Sequence, residues 1–153
     1  MHPLRLNLIL ILIFLQLFYG ASQNNNVESL MQSLSKENMK LQNDVIDLGK
    51  THRHNLNKNN IRFEKGKIII EVNARRTNIQ STLIKTYWMC GYALSNNNLP
   101  NSQVIVILNI SKRNNILISI ANGLDVVELG RHELSDYAYS TKFLDKLTVY
   151  KQK

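Results

Sequence analysis

The rhythm of apolar and polar positions changes several times along the chain. Residues 6–19 are apolar except for Asn7 and Gln16, Arg5 precedes them, and Gly20, Ala21 and Ser22 follow. One charge, a short apolar run and a small-residue end describe a secretory signal peptide over residues 1–22. The apolar run is 14 residues, short of the ~20 that a spanning helix needs. An uncleaved membrane anchor is the alternative. Both readings place the rest of the chain outside the cytoplasm. Arg5 ahead of the run, with no further Lys or Arg before Lys36, favours the N-terminus inside.

A seven-residue period follows. Val27, Leu34, Leu41 and Leu48 recur every seven residues, and Met31, Asn38 and Val45 fall four residues after the first three. This spacing predicts an amphipathic, coiled-coil-like helix over residues 27–49, ended by Gly49. An Asn at one core position is a known device for fixing register in a paired helix. The face Val27, Met31, Leu34, Asn38, Leu41, Val45 and Leu48 is therefore the candidate partner-binding surface, either for self-association or for another protein. Residues 50–60 are polar and basic, with Leu56 the one apolar position, and read as a linker.

From Ile61 the period drops to two. Ile61/Phe63 and Ile68/Ile70/Val72 alternate with polar residues about Gly66, which predicts a hairpin. Asn73 is the expected cap of the next helix. Ile79, Leu83, Tyr87, Cys90 and Leu94 then step by four, four, three and four residues, a helical stripe on which Gly91 is expected to admit a strand closely. Two strands follow, with Val104/Val106/Leu108/Ile110 and Ile116/Ile118/Ile120 on shared faces. Asn122-Gly123 reads as a type I′ hairpin turn, which makes Leu124–Leu129 the third strand of a meander. Leu134, Tyr137, Ala138, Thr141 and Leu144 suit a last helix that starts near Ser135 or Asp136. Leu147–Tyr150 reads as a short strand or a tail. The expected class is α+β, with residues 61–150 forming a small antiparallel-sheet domain of hairpin, helix, three-strand meander and helix.

Charge sharpens this picture. The chain has 153 residues and a net charge of +8. Residues 27–48 carry two lysines against four carboxylates, whereas residues 50–113 carry eleven Lys/Arg against two. An acidic arm thus precedes a basic middle third. Arg62, Lys65, Lys67, Arg75, Arg76, Lys112 and Arg113 are the candidate anion contacts, for lipid headgroups, a cell-wall polymer or nucleic acid.

The candidate chemistry is sparse. A single cysteine, Cys90, excludes an intramolecular disulfide, and its place on an apolar stripe reads as core rather than nucleophile. His52 and His54 flank Arg53, too few ligands for a metal site. His132-Glu133 with Asp136, and Asp125 with Glu128, read as capping and surface groups. Asn109-Ile110-Ser111 is a glycosylation sequon placed in a predicted strand. No P-loop, dinucleotide fingerprint, GxSxG or HExxH occurs in the sequence. No catalytic or metal-binding set is assigned and no cofactor is expected. The expectation is an exported, non-enzymatic adaptor or assembly protein acting through protein–protein contacts. The alternatives are an anion-binding module using the basic middle region, and a membrane-anchored subunit of an envelope complex.

Overall fold

The computed structural model describes residues 28–97, 102–111 and 115–152. Predictions for the signal segment, Val27, Lys112 and Arg113 lie outside them. The chain divides into two compact units, Met1–Asn38 and Met39–Lys153. Helix α1 covers residues 28–51. In the first unit, residues 28–38 are helical, with Leu30, Met31 and Leu34 more than half exposed.

The second unit is α+β. Its strands are β1 (Ile61–Glu64), β2 (Lys67–Ala74), β3 (Gln103–Ile110), β4 (Asn115–Asn122) and β5 (Thr148–Gln152), in that order across one five-stranded sheet. Helix α2 (Ile79–Ser95) connects β2 to β3. Helices α3 (Gly123–Arg131) and α4 (Tyr137–Asp145) connect β4 to β5. All strand pairs are antiparallel except β2 with β3. The sheet is therefore mixed rather than antiparallel throughout. The crossover through α2 returns the chain alongside β2 in the same direction, as a strand–helix–strand unit does.

Local chemistry accounts for most elements. Lys65 and Gly66 have φ of 42° and 77°, the pair of positive values that a type I′ turn needs, so the β1–β2 hairpin closes in two residues. Asp136 caps α4, accepting from Tyr139 N–H at 3.0 Å. Asn73 stays in β2. Asn78 stands at the start of α2, and its side chain accepts from Arg75 N–H at 2.7 Å.

The expected third strand, Leu124–Leu129, is wrong: these residues are helical in α3. Asn122 acts as an N-cap rather than a turn residue, accepting from Leu124 N–H at 2.9 Å. Gly123 is required for space, since a methyl group there would fall on the Ser102 carbonyl. Val126 and Leu129, three apart, both enter the core. The outer place beside β4 goes to β5, through Ile116↔Gln152 to Ile120↔Thr148. Gly91 does make a close approach, but to a helix. Added methyl groups on Gly91 and Gly130 would each land on the backbone of the opposite helix, so α2 and α3 cross with their main chains in contact.

The core lies on one side of the sheet. Ile68, Ile70, Val72 and Ala74 of β2, Val104, Val106 and Leu108 of β3, and Leu117 and Ala121 of β4 are buried there. They pack with Leu83, Tyr87, Met89, Cys90 and Leu94 of α2, Val126 and Leu129 of α3, and Phe143 of α4. Tyr87 hydroxyl meets Ser119 Oγ at 3.1 Å, so the polar tip of a fully buried ring is satisfied. Leu41 and Val45, at 0% and 1% exposure, join the same core with Ile46. The compact unit thus starts at Met39 and takes in residues 50–60, read from sequence as a linker. Leu56 is buried in the core, and the Gln42 amide donates to the Lys58 and Ile61 carbonyls at 3.0 Å each.

Candidate functional site

Strand side chains alternate between faces, so the residues skipped by the core define a second surface. The cross-strand register sorts them into rows. Arg62, Ile69, Ile105, Ile120 and Thr148 form one row. Glu71, Ile107, Ile118 and Tyr150 form the next, and Asn73, Asn109 and Ile116 a third. Six isoleucines on β2, β3 and β4 therefore stand together. Each is partly exposed, and none belongs to the core or packs against it. With strands ~4.8 Å apart and ~3.3 Å per residue, the patch is about 10 Å by 13 Å. Tyr150, 56% exposed, extends it onto β5. Apolar patches of this kind mark contact surfaces. Among the described residues, Arg62 and Lys67 on the same face have no ion-pair partner. Glu71 is held by the Asn109 amide at 2.8 Å.

The heptad face divides. Leu41 and Val45 are buried in their own domain and Leu48 is partly buried against it. A zipper along the whole stripe would need these same side chains. Met31 and Leu34, with Leu30 beside them, remain exposed. Asn38 is partly buried.

The basic candidates do not converge. Arg62, Lys65 and Lys67 lie at the hairpin end of β2, and Arg75 and Arg76 just beyond its other end. The eight residues of β2 separate the two groups by about 25 Å.

A polar cavity of about 350 Å³ opens at the carboxyl end of β2, with Val72, Asn73, Asn78 and Thr82 on its walls. The opposite wall comes from the supposed linker, as Arg53, His54, Asn55, Asn57 and Asn60. Their positions follow from how α1 ends. Arg53 N–H donates to the Lys50 carbonyl at 3.3 Å and His54 N–H to the Gly49 carbonyl at 2.7 Å. That is a Schellman cap, with Arg53 at φ 54° in the place that glycine usually takes. His54 Nε2 lies 3.0 Å from Thr86 Oγ1. The Thr86 hydroxyl donates to the Thr82 carbonyl at 2.7 Å, so Nε2 carries the proton and donates. Burial, followed by the charge of Lys85, lowers the His54 pKa below its ordinary value. His52 sets its ring edge-on to Trp88, centroids 5.0 Å apart. The histidine pair is built into the fold rather than solvated.

The remaining reactive groups have structural places. Burial pushes the Cys90 thiol up to about 12, the opposite of what a thiolate nucleophile needs. His132 stacks on Tyr139 at 3.8 Å, with Nδ1 3.3 Å from Asp136 Oδ2 and Nε2 3.7 Å from Glu128 Oε1. Lys146 pairs with Asp125 at 2.6 Å, joining the end of α4 to α3. Trp88 Nε1 donates to the His132 carbonyl at 2.8 Å. Among the described residues no group of three or more His, Cys, Asp or Glu is placed to hold a metal, and no helix is long and apolar enough to cross a membrane.

Sequence reasoning missed both surfaces. The isoleucine face was legible as the second set of alternating positions at Ile69, Ile105, Ile107, Ile116, Ile118 and Ile120. The cavity had no sequence signal, because its walls come from residues scattered between 53 and 82. No family model, curated protein or solved structure matches the chain.

Proposed function

We propose that this chain is an exported, non-enzymatic assembly protein that self-associates, the exposed arm helix of one copy covering the open sheet face of another. The observation that carries the reading is the isoleucine patch, an apolar surface with no cover among the described residues. The exposed Leu30, Met31 and Leu34 form a second such surface. The two suit each other in size. Eleven helical residues, 28–38, span about 16 Å and a helix is about 10 Å wide, close to the patch dimensions. Glu28 and Glu37 outweigh Lys36 on the arm, while the face sets Arg62 and Lys67 against Glu64 and Glu71, with Glu71 held by Asn109. A single helix-on-sheet contact falls short of the ~800 Å² per partner of a standard interface; reciprocal exchange doubles it. Export rests on the sequence of residues 1–22.

Sedimentation velocity over a concentration series tests the assembly. The wild-type chain should pass from monomer to dimer, and Leu30→Glu with Leu34→Glu should hold it monomeric without lowering its unfolding midpoint. A wild-type chain that stays monomeric at every concentration would overturn the reading. Mass spectrometry of the protein recovered from its host tests export: a new N-terminus near residue 22 supports it, and a cytoplasmic protein with residues 1–22 intact opposes it.

A further inference from the structure

The cavity beside β2 is rich in donors for a specific reason. Asn57, Asn60 and Asn78 each spend the side-chain oxygen on a backbone N–H: Asn59 N–H at 2.9 Å, Asn57 N–H at 2.9 Å and Arg75 N–H at 2.7 Å. A backbone N–H cannot donate to an amino group, so these bonds fix which end of each amide is which. What each asparagine has left is its NH₂ group, and none of the three makes a hydrogen bond among the described residues. The Arg53 guanidinium joins them on the same walls, likewise without a partner there. No Asp or Glu lines the cavity. Three amide donors and a fixed positive charge around a space without carboxylates select for a ligand that is all acceptor and negatively charged. A carboxylate has two oxygens to offer. A tetrahedral oxyanion has more, and uses the whole set. The volume of about 350 Å³ is at the small end of ligand pockets.

We propose that this cavity binds a small tetrahedral oxyanion, either phosphate itself or the phosphate group of a small monoester. Arg53 forms the charge-assisted contact, and Asn57, Asn60 and Asn78 donate to the remaining oxygens. The site takes no residue from the arm, and it shares only Asn73 with the open sheet face.

Arg53 also provides a clean test. It occupies a left-handed cap position that glycine takes at no steric cost. Arg53→Gly therefore removes the guanidinium while leaving the fold at least as stable. The full chain, labelled with ¹⁵N, is titrated with inorganic phosphate, with ribose 5-phosphate and with ribose, at constant ionic strength set by chloride. Both phosphate probes should give saturable shifts of the Asn57, Asn60 and Asn78 side-chain NH₂ signals, and ribose none. Tighter binding of ribose 5-phosphate than of phosphate assigns the monoester, and equal binding assigns the free anion. Arg53→Gly should weaken binding by about tenfold or more, the scale of one lost charge-assisted contact, with no fall in its unfolding midpoint. Shifts that do not saturate, that chloride reproduces, or that Arg53→Gly leaves unchanged would overturn the proposal.

Discussion

The crossing of α2 and α3 can be tested with one added methyl group. Gly91 and Gly130 face each other, and a Cβ on Gly91 would fall on the Val126 carbonyl and come within 3.0 Å of Gly130 N. The obstacle is backbone, so no side chain can rotate out of the way. The helices must separate by about 1 Å, a gap that forfeits a quarter to a half of each affected dispersion contact. Overpacking of this kind costs about 1–3 kcal/mol, and the upper end applies because both obstacles are main chain. Replacing glycine by alanine within a helix returns about 1 kcal/mol of propensity. The net expectation for Gly91→Ala is therefore a loss of about 2 kcal/mol. In urea, with m of about 1–3 kcal/mol/M, the midpoint should fall by roughly 1 M. Gly66→Ala is the comparison. Its Cβ would meet nothing within 4 Å, so it should cost only the ~1–2 kcal/mol of a left-handed alanine. An unchanged or raised midpoint for Gly91→Ala would refute the close crossing, since propensity alone would then be acting.

Two further predictions follow from burial. Leu41 and Leu34 share the heptad stripe but differ in exposure, 0% against 51%. Leu41→Ala should cost about 2–5 kcal/mol in chemical unfolding and Leu34→Ala should stay within about 0.5 kcal/mol, measured at concentrations where the chain is monomeric; equal effects would contradict the division of the stripe. His54 is held neutral, its pKa below the ordinary 6.5. Its contribution to stability is therefore complete above about pH 6.5 and is lost as pH falls toward the folded value, because the unfolded chain takes up the proton first. His54→Gln keeps an N–H donor for Thr86, so its stability should fall less than wild type between about pH 7 and pH 5; parallel slopes would show that His54 does not titrate in this way.

What could be read from the sequence divides by range. The stripe Ile79, Leu83, Tyr87, Cys90 and Leu94 and the alternation in β2, β3 and β4 are local signals, and they gave the right element types. The Asp136 cap and the Gly66 turn are local as well. Leu124–Leu129 was misread because Asn-Gly serves either a turn or a helix start. The choice was made at a distance, where Ser102 leaves no room for a side chain at Gly123 and Gly130 meets Gly91. The linker was misread for a similar reason. Leu56 is a single apolar residue among polar neighbours, and it is buried in the core beside Gly49 of α1. Alternation also showed that the strands had two faces, but not which of them α2, α3 and α4 would cover. The donors of the cavity, Asn57, Asn60 and Asn78, were not legible at all, because each amide is fixed by a hydrogen bond from a backbone N–H.

The central claim concerns one contact, between the arm of one copy and the sheet face of another. Isotope-filtered NMR on an equal mixture of ¹³C-isoleucine-labelled and unlabelled chains reads that contact directly. The expected result is intermolecular NOEs from the methyl groups of Ile105, Ile107, Ile118 and Ile120 to Leu30, Met31 and Leu34. Intermolecular NOEs that join only labelled isoleucines to isoleucines of the unlabelled copy, or none in a sample shown to be dimeric, would contradict it.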